Sequence, residues 1–274
     1  MEDLKDQENQ PQEEVTDEDF ELNHSDKLVG VFSEPASTFQ GISKVGVKTS
    51  DWLIPLFVVI VISIISHVVM LNNPAIKYSM MEEQMSAVEE RLDDMVESGQ
   101  MTEAQKEQQI QQTRDFMENQ GGTQIIFSAI GIIIFTFIMF FIVSGVFYAV
   151  SKFGLKGDGD YKGAMAAYGL PHYIIVVQVI VMVILAFVFD RFLQGTSVAA
   201  ILDSDKTTFA GWVFSKLDIF SIWFYGVVAV GFAKIFKAES YGKYFAMVFG
   251  LWLGVGFIFW LLADALPFLR WFGV

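Results

Sequence analysis

Three ionisable side chains fall within long apolar runs, His67, Lys234 and Asp264, and such groups are where a proton or ion relay through a membrane would first be sought. Their depth argues against that chemistry. His67 lies near the far end of its run, Lys234 is two residues from the end of its own and can reach outward, and Asp264 lies five residues before the end of the last run. None sits at the midplane, where transported substrates and coupling ions usually bind. Other constellations are thinner. Gly157-Asp158-Gly159-Asp160 lacks the further ligands and distal glutamate of a calcium loop and reads as a turn. His24 and His172 are far apart and have no Glu-x-x-His spacing, so no metal site is expected. No serine has a nucleophile-elbow context, and cysteine is absent. No catalytic, cofactor-binding or metal-binding residue is predicted.

The elements that must position these residues are five apolar runs, at 52–71, 125–150, 171–189, 219–236 and 245–269. At ~1.5 Å rise per residue each can cross a hydrocarbon core ~30 Å thick. The predicted fold is therefore all-α: a polytopic helical bundle with five transmembrane helices and an extramembrane helical hairpin between helices one and two. An apolar content of 53% in 274 residues agrees. The polar residues are acidic, with a net charge of −14 that disfavours nucleic acid and a polybasic lipid-binding tail.

Residues 1–27 hold eleven acids against two lysines and read as a disordered tail. No cleavable signal peptide is visible, so the first run is expected to serve as an uncleaved targeting signal. In 28–51, Ser33 or Glu34 can cap a helix that opens with Pro35. Phe39 and Ile42 follow at helical spacing, flanked by Lys44 and Lys48, and suggest a helix in the headgroup plane; the alternative is a short helix packed under the bundle. Segment 72–124 is acidic and helical. Met81, Met85, Val88, Leu92 and Met95 form one stripe, Ser98-Gly99 breaks the helix, and Thr102 with Gln105 makes a capping box for a second. This hairpin reads as a solvated lid or, in the functional alternative, a docking surface for a partner protein.

Lysine and arginine lean weakly toward a cytoplasmic amino terminus, an external hairpin and an external carboxy terminus. Gly250 and Gly254 form a small-xxx-small pair expected to let helices approach closely. Trp223 is one of several aromatic residues near predicted membrane boundaries, and Pro171 opens the third run without forfeiting a helical hydrogen bond. Asp218 can cap the fourth run, a role worth ~0.5–2 kcal/mol if exposed.

Three segments together resemble the Yip domain family of five-span membrane proteins, named for binding Ypt/Rab GTPases and also found in bacteria. They are Pro35-Ala36-Ser37-Thr38-Phe39 with Ile42; Gly163 through Tyr168-Gly169-Leu170-Pro171; and Leu217-Asp218-Ile219-Phe220-Ser221-Ile222-Trp223 with Gly231. The resemblance spans about 28–271. It implies a membrane-embedded bundle, a cytosolic amino terminus and, in eukaryotes, roles in vesicle trafficking and membrane shaping. The eukaryotic branch carries an Asp-Leu-Tyr-Gly-Pro segment that the tail here lacks, so Rab binding is not carried over. The hairpin looks like a feature of bacterial relatives, which implies a bacterial inner membrane. The expected role is a non-enzymatic scaffold or shaping protein with the lipid bilayer and protein partners around it. A transporter or channel component is the alternative, and a mid-membrane cavity lined by Gln178, Ser144 or Thr136 would mark it.

Overall fold

A computed structural model describes residues 22–119, 121–263 and 265–266, so Asp264, Trp271 and most of the acidic tail lie outside the described residues. The described chain is helical throughout: α1 His24–Ser33, α2 Pro35–Val45, α3 Ser50–Leu71, α4 Pro74–Glu97, α5 Glu103–Asn119, α6 Gly121–Ala149, α7 Tyr161–Gly169, α8 His172–Phe189, α9 Val198–Leu202, α10 Phe209–Lys216, α11 Ile219–Ile235 and α12 Tyr241–Leu262. Four stretches are long and apolar enough to cross a membrane: Ser50–Leu71, Ile125–Gly154, Tyr161–Phe189 and Tyr241–Leu262. The fourth apolar run differs from its expectation. It forms α11, which follows α10 after a short break at a 61° bend, and this bent pair makes a fifth span if it crosses as one unit.

Local chemistry sets the helix ends. Asn23 caps α1 reciprocally with Asp26, so the polar tail gives way to helix a few residues earlier than composition suggests. Asn73 accepts from the Ala75 and Ile76 amides and, with Pro74 following, separates α3 from α4. Gly99, at φ +73°, turns the chain between α4 and α5, and Thr102 and Gln105 bond reciprocally to open α5. Helix α5 packs along α4, which turns Met85 and Leu92 inward.

Helix α11 is the hub. It packs on α2, α7, α8 and α12 and buries Val228, Phe232 and Phe236 beyond its end in the largest apolar cluster. The face of α2 is correspondingly not on a lipid surface. Phe39 is fully buried and Ile42 nearly so, both in that cluster, because α2 lies against α11 inside the protein. Phe39 and Ile42 therefore make the contacts expected of a short packed helix. Phe32 just upstream meets the Trp223 ring edge-on at 5.5 Å.

Glycine makes the α2–α11 approach possible. A Cβ built on Gly231 would lie 2.9–3.1 Å from the Phe39 ring, and one on Gly169 would lie 2.7 Å from the Trp52 backbone. Gly250 and Gly254 behave otherwise: nothing among the described residues lies within 4 Å of a Cβ at either position. The close helix approach expected there is not made among the described residues, where that face of α12 has no neighbouring helix. Gly231→Leu should therefore lower stability by ~1–3 kcal/mol through overpacking. Gly250→Leu and Gly254→Leu should melt with the parent in the same detergent; equal losses at all three would contradict this assignment of the packed face.

Candidate functional site, a buried carboxylate at a helix bend

Asp218 occupies the break between α10 and α11. Its backbone is extended (φ −133°, ψ 116°), which places the residue at the N-cap of α11 with its side chain over the first amides. One carboxylate oxygen accepts from the Phe220 amide at 3.1 Å and from Thr196 Oγ1 at 2.9 Å. The other accepts from Ser221 Oγ at 2.8 Å and from Gln178 Nε2 at 2.7 Å. The Gln178 amide also donates to Thr196 Oγ1 at 3.0 Å, closing a ring across α8, the loop before α9 and α11. Asp218 and Thr196 are buried.

Among the described residues no cation pairs with Asp218. Its charge is instead met by four donors and by the positive end of α11. Such an arrangement can hold α10, α8 and α11 at a fixed angle. It leaves few lone pairs for a ligand.

A second buried polar group lies at the amino-terminal helices. Lys27 Nζ pairs with Asp51 Oδ1 at 2.7 Å, and both side chains are almost wholly buried. The second Asp51 oxygen accepts from the Lys48 amide at 2.9 Å. His24 Nε2 meets the Tyr173 hydroxyl at 2.6 Å, tying α1 to α8. Burial lowers the His24 pKa, with Asp51 acting in the opposite direction and Lys27 adding to the lowering. A base with a depressed folded pKa gives stability that is complete above its ordinary value of 6.5 and is lost as pH falls through the depressed value. The protection of α1 amides, measured against their intrinsic exchange rates at each pH, should accordingly fall on acidification, and His24→Gln should flatten that response; an unchanged response in the variant would contradict the contribution of His24.

The residues singled out from sequence do not converge on one site. Lys234 donates to Gln40 Oε1 at 3.1 Å and lies over the Tyr241 ring. His67 Nε2 is buried without a hydrogen-bond partner among the described residues. His172 Nδ1 bonds the Tyr168 carbonyl at 2.9 Å inside a ring cluster with Phe140 and Phe224, whereas His24 bonds the next residue, Tyr173. Asp160 caps α7 through the Gly163 amide, and Asp158 pairs with Lys237. Ser144 meets Tyr161, so Ser144 and Gln178 sit in separate contacts. Pro171 is buried between α7 and α8, with the Ile174 amide donating to its carbonyl at 2.8 Å.

All three segments of the sequence resemblance lie in this framework: Phe39 on Gly231, Gly163 against Ile235 of α11, and Asp218 at the bend. The Yip1 domain model matches residues 29–263, from α1 to just beyond α12. The chain belongs to the Yip1 domain family. The match covers most of the chain and includes every contact to Asp218, so the polar ring and the α2–α11 packing are both parts of the Yip1 domain here. Together with the long apolar helices, membership makes this an integral membrane protein of several crossings. No curated protein and no solved structure matches the chain.

Sequence reasoning missed two features. Thr196 and Ser221 carry no motif that points to Asp218, and Lys27 and Asp51 are separated by 24 residues of unrelated pattern. The usable signal for the first was a glutamine in the middle of an apolar run, since a lone polar side chain there needs a partner.

Proposed function

We propose that this Yip1 domain protein is a non-enzymatic scaffold that organises the membrane around it and presents α4 and α5 to a protein partner as an extramembrane hairpin. The observation that carries the reading is the closed polar ring at Asp218: its donors and acceptors are spent on joining helices. The α4–α5 pair supports the partner role. Its outer surface is rich in carboxylates, Phe116 stands 62% exposed within it, and α4 is seated on the bundle where the Phe192 amide donates to Ser79 Oγ. Burial also raises the pKa of Glu83, against the pull of Lys206, where α4 meets the segment that leads to α9.

In this reading the chain makes five crossings of a bacterial inner membrane, with the amino terminus cytoplasmic and the carboxy terminus external. Reporter fusions after Ser98 and after Gly157 should therefore report opposite compartments, and a cytoplasmic signal after Ser98 would overturn the orientation. The partner role is tested by placing a photo-reactive side chain at the exposed positions Gln84 and Gln108 of the full chain in cells. A discrete protein adduct from both, and none from the exposed apolar position Val188, is expected. Adducts with lipid alone, or none, would contradict it.

Transport is a second reading with one observation in its favour. Discontinuous helices with a buried carboxylate at the break are a common way to build a substrate or ion site in a membrane. The α10–α11 bend at Asp218 has that form.

A further inference from the structure

We propose that the cleft between the α10–α11 bend and α12 binds one anionic phospholipid, with its phosphate on Lys216 and an acyl chain along α12. The cleft has a volume of about 360 Å³ and walls that are apolar except for Lys216. Ile222, Phe249, Trp252 and Leu253 line its depth, and Trp212 stands beside the lysine.

The ammonium at its end faces a ring and no carboxylate among the described residues. Lys216 Nζ lies 5.7 Å from the Trp212 ring centroid, and Nζ and Cε lie 3.5 Å from where a Cβ on Gly256 would be. Among the described residues no carboxylate comes within ion-pairing distance of that ammonium. Lys206 adds a second positive charge close enough to repel it, while its own ammonium donates to Gln194 Oε1 at 3.0 Å. A half-buried ammonium is costly in apolar surroundings. An anionic oxygen-bearing headgroup at this point satisfies it.

The wall shape selects a lipid over a free anion. Phe249 is seven residues before Gly256 on α12, so the apolar lining continues for ~10 Å from the level of the ammonium at helical rise. A small anion would use the lysine and leave this wall empty, whereas an acyl chain covers it and a zwitterionic headgroup brings its own cation against Lys216.

Trp212 and Trp252 make the cleft readable. The full chain is reconstituted in phosphatidylcholine vesicles containing a small, equal mole fraction of either brominated-chain phosphatidylglycerol or brominated-chain phosphatidylcholine, and tryptophan quenching is compared. The anionic lipid should associate about five-fold more strongly, a ratio equivalent to ~1 kcal/mol for one lysine at a membrane surface. Lys216→Gln should bring the ratio to about one, and Lys216→Arg should keep it. Excess inorganic phosphate should leave the quenching unchanged. Equal quenching by the two lipids in the parent, as a second protein copy covering the cleft would also give, overturns the proposal. So does a preference that survives Lys216→Gln in protein whose melting matches the parent, or one abolished by inorganic phosphate alone.

Discussion

Asp218→Ala should destabilise the protein by about 3–5 kcal/mol, well beyond an exposed helix cap. The substitution removes the acceptor of four donors at once: the Phe220 amide, Ser221 Oγ, Thr196 Oγ1 and Gln178 Nε2. Each buried donor left without an acceptor costs on the order of 1–3 kcal/mol, and hydrogen bonds to a charged group are the stronger kind. Some of that returns, because the serine and threonine hydroxyls can rotate to other acceptors and Gln178 still reaches Thr196. Asp218→Asn keeps the shape and part of the acceptor capacity and should fall between parent and alanine variant. Thermal melting of the three proteins in one detergent gives the order. A loss below about 1 kcal/mol for alanine would mean that water satisfies these donors and that the residue acts only as a surface cap.

Lys27→Ala should cost a similar amount, about 3–5 kcal/mol, for a different reason. It strands the buried Asp51 carboxylate, whose other oxygen accepts from the Lys48 amide. A buried pair need not itself be strongly stabilising, since taking both charges out of water nearly cancels their attraction, yet removing one partner leaves the other's desolvation uncompensated. The double variant Lys27→Met with Asp51→Leu should recover most of the loss. A double-mutant cycle that finds the two positions additive would contradict the pairing. The contact fastens α1 to the start of α3 and, with the His24–Tyr173 bond and buried Val31, holds the amino-terminal helix on the bundle.

What was legible in the sequence follows from what is local. The apolar runs became α3, α6, α8, α11 and α12 because their length and composition suit only helices that meet lipid or other helices. Pro35 and the Thr102–Gln105 pair mark helix starts because their chemistry reaches no further than one turn. The site was less legible because its bonds join distant segments. Gln178 and Asp218 are 40 residues apart, and nothing at either position names the other. Glycine spacing failed similarly at α12: Gly250 and Gly254 share a face, but only the bundle decides which face meets a neighbour, and Gly231 is where α2 presses in. The segment between α8 and α11 lacks a long apolar run, so the short α9 and α10 and the 61° bend had no periodic signal.

The central claim is that the buried carboxylate is a fastening of the bundle and not part of a conduit. Ion and proton flux through vesicles reconstituted with purified parent protein and with Asp218→Asn, at matched incorporation, tests it most directly. Flux no greater than in protein-free vesicles is expected for both proteins; robust flux in the parent that disappears in Asp218→Asn would contradict a fastening role.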